Sequence, residues 1–304
     1  MWLAPRDFVR SPEAMAREFD RETGQQYTRW LARHHYENFQ VASLLLPKAL
    51  RQDFYNLYAY CRWADDLGDE IGDAGESLRL LAWWREQLDS MYAGRARHPV
   101  LVALRETVER HRIPQQPFAD LIRAFEQDQR VTRYRTRAEL LDYCRYSANP
   151  VGRLVLYVCG YADAGRQELS DCTCTALQLV NFWQDVTVDL EKGRIYLPLE
   201  ILEGHGCSLE DLAAGRPTAA FRAAMKEAVD WAGDWFRRGL PLAKMVDRRL
   251  AVDVSLFSRG GMQILKKIRA QDYDVLSRRP VIGKTERVLL LMSAMARAAF
   301  LRAA

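Results

Sequence analysis

The sequence predicts an all-α chain. Apolar residues recur every three to four positions along nearly its whole length, and period-two alternation bounded by turn residues is almost absent. The breaks between periodic runs are single prolines and glycines rather than long linkers.

Taken in order, the periodicity predicts helices over 24–46, 48–71, 75–93, 99–111, 115–129, 137–147, 150–162, 170–191, 208–213, 217–238, 240–247, 250–270 and 284–302. Pro47 parts the first two, and Gly-Asp-Ala-Gly at 72–75 ends the second. Pro99, Pro114 and Pro117 bracket the fourth and fifth, and Asn149-Pro150 separates the sixth from the seventh. Ser170 is the expected N-cap of the long 170–191 run and Gly193 its stop, while Pro280 precedes the last helix. With no Gly, Ser or Pro-rich linker and no repeat of 20–50 residues, the expected organisation is one domain over 1–304, with residues 1–23 a loosely attached segment.

Composition narrows the class. The chain has 304 residues, 49% of them hydrophobic, enough for a large core. A net charge of only +4 gives no basic stripe for nucleic acid, which is excluded as a partner. The six cysteines lack zinc spacing or a secreted framework and predict a reducing compartment. The N-terminus lacks the pattern of a signal peptide. The longest apolar run, 287–301, is broken by Arg297 and falls short of the ~20 residues that span a bilayer. A cytoplasmic protein follows, with peripheral attachment to the inner membrane as the other placement.

Two acidic stretches interrupt this apolar pattern. In Tyr58-Ala-Tyr-Cys-Arg-Trp-Ala-Asp-Asp-Leu-Gly-Asp-Glu70, helical winding gives an apolar stripe of Leu57, Cys61, Ala64, Leu67 and Ile71. Tyr58, Arg62, Asp65 and Asp69 share another line, with Asp66 beside it. In the second stretch, Gln178, Asn181, Asp185 and Asp189 stand at offsets 0, 3, 7 and 11 of one helix. Each stretch therefore carries two carboxylates one turn apart on an otherwise apolar body. At ~6 Å and an effective dielectric near 20, two such charges repel by roughly 3 kcal/mol, which a cation between them relieves. Carboxylate and amide oxygens suit Mg²⁺, which completes its shell with water and phosphate. A diphosphate leaves readily only when its charge is neutralised, and bridging metals do that.

At these residues the chain resembles the squalene/phytoene synthase family of head-to-head isoprenoid synthases. The likeness runs from about residue 30 to 290. It rests on the stretches 57–70 and 177–198, the second closing in Gly-Arg-Ile-Tyr-Leu-Pro, with support from 34–47, 143–155 and 272–280. The resemblance implies a single-domain helical bundle with a central apolar cavity. It implies two or three Mg²⁺ ions held by Asp65, Asp69, Asp185 and Asp189. It places Arg62, Gln178, Asn181 and His35 near the diphosphate, Tyr273 and Arg278 as groups that close over it, and Tyr58, Tyr143, Phe39 and Phe182 along the cavity, where aromatic faces stabilise carbocations. Asp128 matches a further polar position of the family.

The chain departs from the family pattern at two positions. Gln184 stands where most members have Arg before the first Asp of the second motif, and Val188 where they have Glu before the second. Together with the 35–43, 146–152 and 181–186 stretches, this resembles the bacterial hydroxysqualene synthases of hopanoid pathways. Their reaction, as the resemblance implies, ionises presqualene diphosphate, opens the cyclopropane, and lets water capture the allylic cation to give hydroxysqualene and diphosphate. No NADPH is expected, and no glycine fingerprint follows a strand. Gln184, which replaces a charge beside the metal site, is the expected guide of the water. Presqualene diphosphate, squalene or phytoene synthases are the rivals within the enzyme class; a non-catalytic scaffold of the same fold is the rival outside it. The expected partners are a prenyl or presqualene diphosphate, a membrane surface and neighbouring pathway enzymes. Four arginines at 130–137 and the bases Lys266, Lys267 and Arg269 are read as solvated, with phosphate contact as the alternative.

Overall fold

The structure is a computed structural model that describes residues 2–34, 48–283 and 286. His35, Phe39 and the body of the predicted 284–302 helix lie outside the described residues. Among those described there is no named strand, only an isolated parallel bridge between Arg133 and Ile195. Their contacts group into two compact units, where the sequence predicts one domain: residues 1–130 with 150–162, and residues 131–149 with 163–304.

In the first unit, α1 (Pro5–Val9), α2 (Pro12–Ala16) and α3 (Arg21–His34) are followed by α4 (Arg51–Asp69), α5 (Ala74–Tyr92), α6 (Pro99–His111), α7 (Gln116–Asp128) and α9 (Asn149–Val158). Local chemistry explains the starts. The Asp73 carboxylate accepts the Glu76 N–H at 2.7 Å to cap α5, and Pro99 opens α6 in the first turn, where a backbone N–H has no acceptor within the helix. α4 buries Trp63, Tyr60 and Leu67, with Trp63 stacked on Trp84 at 5.1 Å. Gly24 lets α3 meet α6 closely: a Cβ there would stand 2.6 Å from the Pro99 carbonyl oxygen.

A polar network ties α3, α4 and α6 together. Asn56 accepts from Thr28 at 2.8 Å and from Gln52 at 2.9 Å, and donates to the Ala103 carbonyl and to Thr107, each at 3.0 Å. Buried Asp53 accepts from Thr107, Arg110 and His111. The N-terminal segment is docked, against the expectation of loose attachment. Phe8 is 4% exposed and packs on Trp63 and His98, and Tyr27 donates to the Leu3 carbonyl. Burial of one large aromatic side chain, about 1.5–3 kcal/mol, anchors a segment whose helices are too short to stand alone.

In the second unit, α8 (Arg137–Ser147), α10 (Ala164–Gln184), α11 (Val186–Glu191), α12 (Leu199–Gly204), α13 (Leu209–Ala213), α14 (Ala219–Gly239) and α15 (Arg248–Ala270) pack around α10 and α14. Trp183 of α10 donates to the Ala228 carbonyl of α14 at 3.1 Å. Arg137 pairs with both Glu200 and Glu227, and His205 meets Glu227 at 2.6 Å, so this arginine of the 130–137 run is structural. Lys267 and Arg269 are likewise paired, with Glu286 and Asp230.

The predicted 170–191 helix needs correction at both ends of its first part. It begins at Ala164, where the Asp163 carboxylate accepts the Arg166 N–H, and Ser170 is buried within it rather than capping it. It breaks at Asp185 (φ −109°, ψ 20°), which closes α10 and opens α11. Gly193 stops α11 as predicted, at φ +71°, a conformation favouring glycine.

Candidate active site

α4 presents the first acidic stretch. Arg62 stands 2.5 Å from Asp66 and 3.4 Å from Asp65. Asp66 is buried, Asp65 partly exposed and Asp69 exposed. Burial pushes the Asp66 carboxyl up to about 6, against the pull of Arg62 and with help from Asp65. Tyr58, half-buried one turn before Arg62, has its phenol raised by burial. Asp66 is thus the carboxylate that the tertiary packing singles out, although the sequence marks Asp65 and Asp69. Its neighbours Trp63 and Leu67 are the signal: Asp66 borders the apolar stripe and turns inward with it. Asp128, at the end of α7, is also buried.

The second stretch lies on α10 and α11. Asn181 is exposed, and Gln178, Gln184, Asp185 and Asp189 are intermediate. The break at Asp185 leaves the helical spacing intact, because Asp185 N–H still donates to the Asn181 carbonyl and Asp189 N–H to the Asp185 carbonyl, each at 2.9 Å. Arg279 pairs with the Asp185 carboxylate, which holds the guanidinium in its charged form. Gln184 donates its side-chain N–H to the Pro280 carbonyl at 2.7 Å. Arg278 is exposed and its carbonyl accepts from Gln271; the neighbouring arginine reaches the carboxylate instead. Tyr273 is half-exposed, on a turn with φ +59°.

Aromatic rings gather beside Asp189. Phe182 stacks on Tyr196 at 3.8 Å, and Tyr143 stands 6.2 Å from Phe182 and 6.0 Å from Tyr196. Tyr134 closes the group, 5.4 Å from Tyr143. Phe182, Val186, Asp189, Arg194, Tyr196 and Leu197 line a small pocket there. Tyr134 and Tyr196 escape sequence reasoning. They come together because Ile195 N–H donates to the Thr132 carbonyl and Leu199 N–H to that of Tyr134, pairing two segments remote in sequence.

Among the described residues no three His, Cys, Asp or Glu side chains form a metal cage. Each unit instead offers two accessible carboxylates one turn apart, Asp65 and Asp69 in the first, Asp185 and Asp189 in the second. This sparse, hard-oxygen donor set fits Mg²⁺, which keeps several waters and takes phosphate oxygens. Among the described residues no helix is long and apolar enough to cross a membrane.

Comparison with known proteins gives concordant findings. The sequence model of the squalene/phytoene synthase family matches residues 32–286. The phytoene synthase of Thermus thermophilus is 37% identical over 272 residues, 88% of this chain and 91% of that protein. Among solved structures, squalene synthase HpnC from Alicyclobacillus acidocaldarius is similar at 45% identity and a TM-score of 0.80, covering 83% of this chain and 95% of that one. A dehydrosqualene synthase in complex with a ligand shares the fold at a TM-score of 0.82 and 23% identity, over 93% and 98% of the two chains.

Proposed function

This chain belongs to the squalene/phytoene synthase family, and on that premise we propose that it converts presqualene diphosphate to hydroxysqualene and diphosphate. The all-α fold is that of its structural relatives, and the family's substrates are prenyl diphosphates. The observation that carries the finer reading is the second acidic stretch, where Gln184 and Val188 stand at the positions that, as the resemblance implies, carry Arg and Glu in most members of the family. The likeness to squalene synthase HpnC over 83% of the chain supports a squalene-type product over a phytoene-type one.

Asp65, Asp69, Asp185 and Asp189 would hold Mg²⁺, whose charge neutralises the departing diphosphate. Arg62, Asn181 and Gln178 bind and orient that group, and Arg62 also keeps the Asp65–Asp66 pair from repelling. The Tyr143, Phe182 and Tyr196 rings of the second unit offer π faces to the carbocation once the C–O bond has broken. The cyclopropane then opens to an allylic cation, water adds to it, and the added water releases a proton to solvent. One Gln184 side-chain N–H is committed to Pro280, so its part in orienting water falls to its second N–H and its carbonyl oxygen. No hydride is transferred and no NADPH is consumed. The protein works in the cytoplasm, and its oily product makes a membrane surface and neighbouring pathway enzymes its natural contacts.

The test is incubation with Mg²⁺ and presqualene diphosphate without NADPH, products being identified by mass spectrometry. Hydroxysqualene is expected. A second reading, condensation of two prenyl diphosphates, draws on the 37% identity to a phytoene synthase. Inertness toward presqualene diphosphate, with conversion of farnesyl or geranylgeranyl diphosphate to a condensed product, replaces the first reading by the second.

A further inference from the structure

Residues 271–280 follow α15 as a strap whose course is fixed at several points. Asp272 and Tyr273 both take left-handed backbone conformations, φ 53° and 59°, which non-glycine residues adopt only when their surroundings enforce it. Arg222 of α14 supplies that enforcement. Its guanidinium donates to the Asp272 carbonyl at 2.5 Å, to the Asp272 carboxylate at 3.0 Å and to the Asp274 carboxylate at 3.2 Å. Gln271 donates to the carbonyls of Asp274 and Arg278, at 2.8 and 2.9 Å. At the far end Gln184 holds the Pro280 carbonyl. Between these moorings Arg279 is set against Asp185, 94 residues earlier in the chain.

We propose that Arg279 is the resident counter-cation of Asp185, which a divalent ion must displace, and that Arg222 is a positioning residue that holds the strap so that Arg279 competes. The proposal rests on the reading of Asp185 as a metal carboxylate. A carboxylate oxygen engaged by a guanidinium offers less charge to an incoming ion, and two cations on one carboxylate repel. The pair is partly solvated, Arg279 being 47% and Asp185 29% exposed at the side chain, so a divalent ion can win. The strap thereby keeps the carboxylate paired in the resting protein and sets the metal concentration at which the second acidic stretch fills.

The experiment is a Mn²⁺ titration of the full chain without substrate, followed by electron paramagnetic resonance of the free ion. Arg279→Gln is expected to bind Mn²⁺ about two- to fivefold more tightly than the parent. Arg279→Lys, which keeps the charge, stays closer to the parent than Arg279→Gln does. Arg222→Gln shifts affinity in the same direction by a smaller factor, with unchanged far-ultraviolet circular dichroism. Unchanged or weaker binding by Arg279→Gln, with the number of bound ions reduced in Asp185→Asn, overturns the counter-cation and leaves the metal reading standing. Full binding by Asp185→Asn removes the metal reading and the counter-cation with it. Parent affinity in Arg222→Gln overturns the role of that residue.

Discussion

Phe182 lies flat against Tyr196, with ring centroids 3.8 Å apart and planes 8° from parallel. The two residues flank Asp185 and Asp189 in sequence, so their contact clamps the loop that follows α11 back onto α10. Truncating Tyr196 to Ala removes a ring that is 7% exposed and opens a cavity beside Phe182. A loss of about 3 kcal/mol is expected, measured by urea denaturation, while Tyr196→Phe keeps most of the stability.

Asp65→Asn and Asp185→Asn test the carboxylate roles. Each keeps side-chain size and leaves partly exposed surface, so far-ultraviolet circular dichroism should be unchanged. Turnover of the diphosphate substrate should fall by roughly two to three orders of magnitude in each. Parent rates in either variant reject the metal role of that residue.

Asn56 satisfies both hydrogens and its oxygen within the first unit. Asn56→Leu leaves the Thr28 hydroxyl and the Ala103 carbonyl without it. A destabilisation of about 3 kcal/mol follows, read as a lower denaturation midpoint at unchanged m. An effect below about 1 kcal/mol shows that water replaces the amide.

Asp253 of α15 is 4% exposed, and its Oδ1 is buried with no hydrogen-bond partner among the described residues. Burial, with a contribution from Asp247, pushes its carboxyl up to about 7. The folded state therefore holds a proton that the unfolded chain releases near its ordinary value of 3.8. Stability from this group is full below the unfolded value, declines as pH rises between the two, and is lost above about 7. Asp253→Asn should flatten that slope and be the more stable protein at pH 8, by a few kcal/mol. Equal midpoints at pH 5 and pH 8 for parent and variant alike contradict it.

Much of the fold is written locally. Helices starting at Pro99 and Arg137 have the predicted bounds because proline and the Thr136 cap fix where an N-terminus is cheap, and Gly193 ends α11 because its backbone is left-handed. α1 and α2 are missed because five-residue helices have almost no period to read; burial of Phe8 holds α1 in place. Asp65 with Asp69 and Asp185 with Asp189 are legible as carboxylate pairs from spacing alone, since a helix puts residues four apart on one face. Asp66 is not, because its burial depends on what packs around Trp63.

The helical class, the two acidic pairs and the family follow from short-range period and contiguous motifs alone. That Arg279 meets Asp185, that Tyr134 and Tyr196 join Tyr143 and Phe182, and that Gln184 is tied to Pro280 emerges only once the chain is folded. Those contacts join residues that no local period connects: the direction of a side chain on a strap or paired loop is set by backbone hydrogen bonds to distant segments. Chain chemistry fixes which groups are present, and long-range pairing fixes which of them meet.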